Sequence, residues 1–559
     1  MKHQTSRFLS LVFAAALILS ILAAGGEALA ADTVYVNDGN NAISGDIGSA
    51  YAVGENGNIS VVGGSYAITG DGVQQVGQAA SVKIPDGGDD GTTVRVRLNT
   101  VKVGLYYYID GRNTALSSAS LENKVGSGYQ FGYYDSSRVF HAVGSTPETR
   151  LTMVPNVNTA VSGGTVGCYH IKLLNTYRDF NSAQSAASQY ADGFPAYING
   201  AYYVMVGNYQ NQSAANSARV SLGISGDVFT GSNRCVAVTR TGTTKVLFEF
   251  DMGDSANLAI RPVAGNSKAV TWFKQKTYYG DFEYFRYVSD KLTVTNVVEL
   301  EDYIKGVVPY EMSASWPIEA LKAQAVSARS YFMANVGSSY SKYGFDVTAD
   351  TYSQVYSGTA GANANSDAAV DATRGEYVTY NGSICNTFYY SSNGGGSENS
   401  ENIFITALPY CRGVIDPFEE DVPKTMNSRK TWSYQYTGAF IASKLRSYGY
   451  NGGDVVSAQP TYSATNNVIK IVFSDAQGRS VTLTKSNCNN ALELPSVHYT
   501  IQQSPNDPNL FIIEGGGWGH NVGMSQYGAY SMAKYHNLNY RQILRFYYTN
   551  VNISKGVMA

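Results

Sequence analysis

His170-Ile171-Lys172-Leu173-Leu174 followed by Asn181-Ser182-Ala183-Gln184-Ser185-Ala186-Ala187, and Tyr203-Val204-Met205-Val206-Gly207 followed by Asn211-Gln212-Ser213-Ala214-Ala215-Asn216-Ser217-Ala218, are two copies of one pattern. In each copy an apolar run of strand length gives way to a polar, alanine-rich segment that suits the start of a helix. Between them, Phe194-Pro195-Ala196-Tyr197-Ile198 reads as a further strand. Asn199-Gly200 reads as a tight hairpin turn, because both residues tolerate the positive φ such a turn demands. With a closing strand, residues 168–226 are expected to fold as β-α-β-β-α-β, a ferredoxin-like arrangement.

The flanks have a different texture. Residues 33–164 are rich in Gly, Ser, Asn and Asp, with short runs such as Val94-Arg95-Val96-Arg97-Leu98 and Val103-Gly104-Leu105-Tyr106-Tyr107-Tyr108-Ile109. Such runs between turn residues read as strands, and no chemistry is legible in them. Strands resume after Val236 with Lys245-Val246-Leu247-Phe248-Glu249-Phe250. The expected class is therefore a β-rich α+β protein of several domains: 33–164, a module at 168–226, and a larger α+β domain over 236–555. A length of 559 residues gives ample chain for packed cores.

At the start of the chain, Lys2 and Arg7 precede an apolar stretch over 8–24 and then Ala28-Leu29-Ala30. That order is the design of a cleavable secretory signal, expected over residues 1–30. An uncleaved anchor is the lesser reading, since the stretch is near the lower limit for crossing a bilayer. A formal net charge of −3 leaves no basic footprint for nucleic acid. The 44 tyrosines pair a flat apolar face with a hydroxyl, which suits both sugar rings and strands. Five scattered cysteines without a CxxC pair do not make a disulfide framework, and the histidines show no metal spacing.

Chemistry concentrates after Val297. In Val307-Val308-Pro309-Tyr310-Glu311-Met312 one carboxylate interrupts an apolar run, followed by Ser313-Ala314-Ser315-Trp316-Pro317. Loss of water around such a carboxyl raises its pKa, the condition for a proton donor at neutral pH. Pro317 is expected to open a helix with Leu321, Ala325, Ala328 and Phe332 on its buried face. Lys322 and Arg329 share another face and are candidates for an anionic sugar substituent, or else solvated charges. Two glycine-rich motifs follow, Ser391-Ser392-Asn393-Gly394-Gly395-Gly396-Ser397-Glu398-Asn399-Ser400-Glu401 and Gly515-Gly516-Gly517-Trp518-Gly519-His520-Asn521-Val522-Gly523-Met524-Ser525-Gln526-Tyr527-Gly528. Glycine lets backbone approach a ligand closely, and the polar residues among them can bond sugar hydroxyls. Ser391, Ser392, Asn393, Glu401, His520 and Gln526 are therefore candidate substrate contacts. His520 is read as a hydrogen-bonding or structural residue rather than a second acid.

The 168–226 segment resembles the SPOR domain, a module that binds peptidoglycan glycan stripped of stem peptides. The longer motifs, from Leu300-Glu301-Asp302-Tyr303-Ile304-Lys305-Gly306 through Glu311, Trp316 to Val326, Arg374-Gly375 and both glycine-rich segments, resemble the stage II sporulation protein D and amidase enhancer family, SpoIID/LytB. That resemblance spans roughly residues 278–550. It implies a lytic transglycosylase, a peptidoglycan lyase that cleaves the bond between N-acetylmuramic acid and N-acetylglucosamine and leaves 1,6-anhydro ends. Glu311 takes the family's catalytic acid position. It implies peptidoglycan glycan strands as partner and other wall hydrolases or amidases as further partners; no cofactor is expected. A hydrolase would instead need a second carboxylate, for which Glu401 and Asp350 are the nearest in sequence. Some sporulation members carry Cys and His after the helix where zinc has been associated with the fold. Here Thr348, Thr351, Tyr352 and Ser353 stand in that stretch, so no zinc is expected there. The rival to catalysis is a binding protein that enhances another enzyme.

Overall fold

The computed structural model describes residues 84–288, 290–337 and 340–559 in full, and before residue 84 only the backbone of a few short strands. The apolar stretch of the expected signal lies outside the described residues. The fold is α+β, rich in strands and built on several sheets. It divides into two compact units, one of residues 95–314, 332–374 and 557–559, the other of residues 1–94, 315–331 and 375–556.

In the first unit the repeated pattern forms Tyr169–Leu173, helix α1 (Phe180–Ala187), Gly193–Ile198, Ala201–Tyr209, helix α2 (Gln212–Ser221) and Gly226–Phe229. Both helices begin at side-chain caps. Asp179 accepts the N–H of Ser182, and Asn211 accepts that of Ala214, so each satisfies a donor that the first turn leaves unpaired. The cap of α1 lies two residues before the Asn181 where the sequence places the helix start. Ala183 and Ala187 of α1 pack with Ile171, Leu173, Val204, Val206 and Ile224. Burial of each large aliphatic side chain contributes roughly 1.5–3 kcal/mol. Asn199 and Gly200 turn the hairpin at φ 47° and 86°, and Ile198 pairs with Ala201.

The four strands run in the order Gly226–Phe229, Tyr169–Leu173, Ala201–Tyr209, Gly193–Ile198, all antiparallel. The sheet does not end there, because Gly193–Ile198 also pairs in parallel with Val246–Asp251 and leads into a ten-stranded sheet. A seven-stranded sheet in the same unit carries Thr100–Tyr106 and Asp281–Phe285 on either side of Thr293–Glu299. That central strand runs directly into helix α3 (Leu300–Glu311), so the helix is fixed at its root by a buried strand.

Helix α4 (Ile318–Asn335) begins just after Pro317, as its sequence suggests. One buried face was expected, but residues 323–330 are buried without a break, including Gln324, Ser327, Arg329 and Ser330. It is a core helix, enclosed all round. In the second unit, helix α6 (Gly438–Leu445), coming after α5 (Ala364–Ala372) of the first unit, packs Ile441 and Leu445 with Phe473, Phe511 and Ile513 from two three-stranded sheets and with Leu492. Helices α7 (Gln526–Tyr535) and α8 (Tyr540–Tyr547) follow. A reciprocal capping box between Asn539 and Gln542 starts α8.

Candidate active site

Glu311 is the last residue of α3, at the end of a helix where negative charge is disfavoured. Val307, Val308 and Met312 are buried beneath it, whereas Tyr310 is 42% exposed and Glu311 itself half-buried. The apolar neighbours are thus in the core, and Glu311 keeps part of its surface exposed. The dry setting expected from the sequence is only partly realised.

The segment 354–356 is held on this helix and on the strand that leads into it by three contacts. Tyr303 Oη donates to Gln354 Oε1 at 2.9 Å, and Tyr356 Oη donates to Asn296 Oδ1 at 2.7 Å. The Tyr303 and Tyr356 rings lie 5.2 Å apart. A Cβ at Gly306 would come within 2.5 Å of the Tyr356 ring, so glycine is what lets the segment lie this close. So anchored, Val355 donates its backbone N–H to Glu311 Oε1 at 3.3 Å. One carboxyl oxygen is thus oriented by the protein.

The two candidates for a second carboxylate are differently placed. Burial alone would raise the pKa of Asp350, but the Tyr107 hydroxyl at 2.6 Å and Arg112 at 3.0 Å help to hold it below its ordinary value. Glu401 is clamped by both ends of the Arg412 guanidinium at 2.7 and 2.6 Å, which lowers its pKa. A carboxylate held by a cation is a weaker base, so neither is prepared to activate water.

The two glycine-rich motifs are bonded to each other within the second unit. Ser392 and Trp518 exchange backbone hydrogen bonds at 3.1 and 2.8 Å, and Tyr389–Tyr390 pairs in parallel with Met524–Ser525. Asn521 Nδ2 donates to the Asn393 carbonyl at 2.9 Å, and Tyr527 donates its N–H to the Ser391 carbonyl at 3.0 Å. Gly517 has φ 87°, and a Cβ there would meet the Ser392 carbonyl at 2.7 Å; one at Gly394 would meet Gly516 at 2.5 Å. These glycines let backbone approach backbone, where the sequence reading had backbone approaching a ligand.

Beneath them sit two buried carboxylates that sequence reasoning missed. Glu419 accepts the Ser392 hydroxyl, the Asn393 N–H at 2.9 Å and the Ser525 hydroxyl at 2.8 Å. Asp416 accepts Asn393 Nδ2 at 2.5 Å, the Phe418 N–H at 3.0 Å and the Tyr547 hydroxyl. Burial and the neighbouring Asp416 push Glu419 up to about 7, and burial raises Asp416 as well. Like charges so close do not both ionise readily, so the pair holds a proton near neutrality. The legible signal was only the acidic run Asp416-Pro417-Phe418-Glu419-Glu420-Asp421, which reads as a surface turn.

The remaining candidates divide by burial. Ser392 and Asn393 are fully buried by this network, and Ser391 is half-buried. Arg329 is fully buried and donates to the Glu376 carbonyl at 3.1 Å, so its guanidinium serves the interior and not a sugar. Lys322 pairs with Glu319 at 2.6 Å, and Glu319 in turn accepts the N–H of Tyr540 at 2.9 Å. Gln526 is buried, its amide 3.4 Å from that of Gln324. His520 is driven down to about 4 by burial, its Nδ1 accepting the Val522 N–H, and its ring packs against Phe388, Tyr390 and Phe404. The imidazole is therefore neutral and fixed. Phe388 and Phe404 also line a cleft of about 590 Å³ with Ile403, Leu408 and Lys485. All five cysteines are free and buried.

The fold and site thus define a strand-rich α+β protein with a half-buried glutamate oriented at a helix end and a pair of glycine-rich loops locked together. Residues 288–380 match the SpoIID family model, described as stage II sporulation protein. An uncharacterized protein of Brachyspira hyodysenteriae is 37% identical over 281 residues, covering 49% of this chain and 72% of that protein. The amidase enhancer of Bacillus subtilis is 30% identical over 295 residues, 45% of this chain and 40% of the relative. Stage II sporulation protein D of the same organism is 29% identical over 273 residues, 46% of this chain and 75% of the relative. The chain belongs to the SpoIID/LytB family, whose members are cell-wall-related.

Proposed function

We propose that the protein is a secreted peptidoglycan lytic transglycosylase acting on peptide-poor glycan, with Glu311 as its general acid and base. The observation that carries the reading is the half-buried Glu311 at the end of α3, with one carboxyl oxygen oriented by the Val355 N–H. Protonated Glu311 delivers its proton to the glycosidic oxygen as the bond from that oxygen to the muramic C1 breaks. The resulting carboxylate takes the proton of the C6 hydroxyl while O6 bonds to C1. The 1,6-anhydro ring closes, the glucosamine leaves with a free 4-hydroxyl, and no water is consumed. One carboxylate suffices, which fits the commitment of Asp350 and Glu401 to arginines.

In this reading the 168–226 module is SPOR-like and holds glycan near the enzyme. Its strand-helix halves support that role, as does Lys172 lying 4.6 Å from the Tyr203 ring. A second reading has one specific support, the name of the Bacillus subtilis relative: a non-catalytic wall-binding partner that enhances an amidase. The test incubates the protein and its Glu311→Ala variant with peptidoglycan, intact and peptide-stripped. Anhydro-ended fragments from the parent alone support the transglycosylase. Reducing ends point to a hydrolase, and binding without cleavage points to the enhancer.

A further inference from the structure

Trp518 is 47% exposed at the tip of the second glycine-rich motif, although its backbone is fixed by the paired bonds to Ser392. The preceding Gly517 donates its N–H to the Arg429 carbonyl at 2.8 Å and accepts Trp432 Nε1 at 3.0 Å. This double anchorage sets Arg429 beside the indole, with its guanidinium carbon 4.5 Å from the ring centroid. Arg412, Arg479 and Arg541 of the same unit pair with carboxylates. Among the described residues the Arg429 side chain forms no ion pair or hydrogen bond, and it is exposed. Stacking orients the planar guanidinium while leaving its N–H donors free, so the entropy of holding it in place is already spent before a ligand arrives. The indole beside it offers an apolar surface and an N–H of the kind that accepts a sugar ring.

We propose that Arg429 and Trp518 form a subsite for a carboxylate-bearing sugar, and that on glycan strands it reads the free lactyl carboxylate of muramic acid. The identity of the strand rests on the glycan-cleaving function proposed above; the site itself rests on the free guanidinium stacked on an exposed indole. In a strand that carries stem peptides the same carboxyl is a neutral amide and offers no anion to Arg429. The pair would thereby make peptide-free strands the preferred ligand.

The test measures calorimetric affinity of the full chain, in a Glu311→Gln background that keeps strands intact. Two oligosaccharides of equal length are compared, one alternating N-acetylglucosamine with peptide-free N-acetylmuramic acid, the other a chitin oligomer that lacks the carboxylate. Arg429→Gln should weaken the muramic oligomer roughly fivefold, the upper end for an exposed ion pair, and leave the chitin oligomer unchanged. Arg429→Lys should restore part of the loss, and added salt should erode the preference only where a cation is present. Unchanged affinity in Arg429→Gln, or equal loss for both oligomers, overturns the site. Cleavage by the Glu311 protein separates the two readings. If strands are cut but Arg429→Gln has no effect, the function stands and the subsite falls. If the Arg429 effect is seen but nothing is cut, the subsite stands and the catalytic reading falls.

Discussion

Glu311 in the first unit and the Asp416–Glu419 pair in the second are both carboxyl sites, yet their surroundings are opposite. Glu311 is half-buried, with one oxygen on a backbone N–H. Asp416 and Glu419 are buried, and each accepts three or more hydrogen bonds from segments far apart in sequence. Burial with many donors is the signature of a structural clamp, because every partner is committed. A proton-transfer group must instead be within reach of its substrate. Perturbed acidity alone would point to Glu419, whereas the function proposed above rests on the less buried Glu311.

The comparison can be broken most directly at Glu311. Glu311→Gln should lower the cleavage rate by roughly 10²–10⁴ and leave the thermal midpoint within about a degree of the parent, as a half-exposed substitution should. A large fall in melting temperature would show that Glu311 belongs with the structural carboxylates.

The clamp should answer in stability. Glu419→Ala leaves Ser392, Asn393 and Ser525 without their acceptor, at a cost of about 3 kcal/mol in chemical denaturation. The sign of the pH effect follows from the upward shift of Glu419. The folded protein holds that proton up to about 7, the unfolded chain only to about 4.5. The contribution is complete below the lower value and lost as pH rises through the upper one, on the order of 3 kcal/mol in all. Glu419→Gln should flatten the stability profile across that window. An unchanged slope would remove Glu419 as its source.

What could be read in the sequence follows from the range of the interactions involved. The strand-helix halves over 168–226 are local patterns ended by local caps and a local turn, so Asn199-Gly200 and Asn211 were legible as they stand. The helix after Pro317 was legible because its signal is local, but that Glu311 itself ends a helix running out of a buried strand was not. The enclosure of α4 was not, since Arg329 and Gln324 look like surface residues until the surrounding chain covers them. Nor was the clamp, in which Asn393, Asp416, Ser525 and Tyr547 converge over more than 150 residues. Gly517 marks the border: its need for glycine is visible, but its reason is the Ser392 carbonyl. Gly517→Ala should cost about 2 kcal/mol, through strain at positive φ and that close contact. A neutral result in thermal denaturation would mean that the two loops are not locked as described.

The smallest effect tests whether the repeated module owes its helices to its own sequence. Asp179 accepts both the N–H and the hydroxyl of Ser182, and this contact draws its pKa down to about 2. Because the carboxyl is at the surface, the contact acts as a cap and adds little as a charge. Asp179→Ala should therefore cost about 1 kcal/mol, and Asp179→Asn, which can still cap, much less. Hydrogen exchange resolves effects of this size by segment, and the loss of protection should be confined to α1 and the strands it covers. Equal destabilisation by both substitutions would mean that charge and not capping holds the helix. Loss of protection spreading through Val246–Asp251 would show that the parallel pairing with Gly193–Ile198 makes the module one cooperative body with the larger sheet.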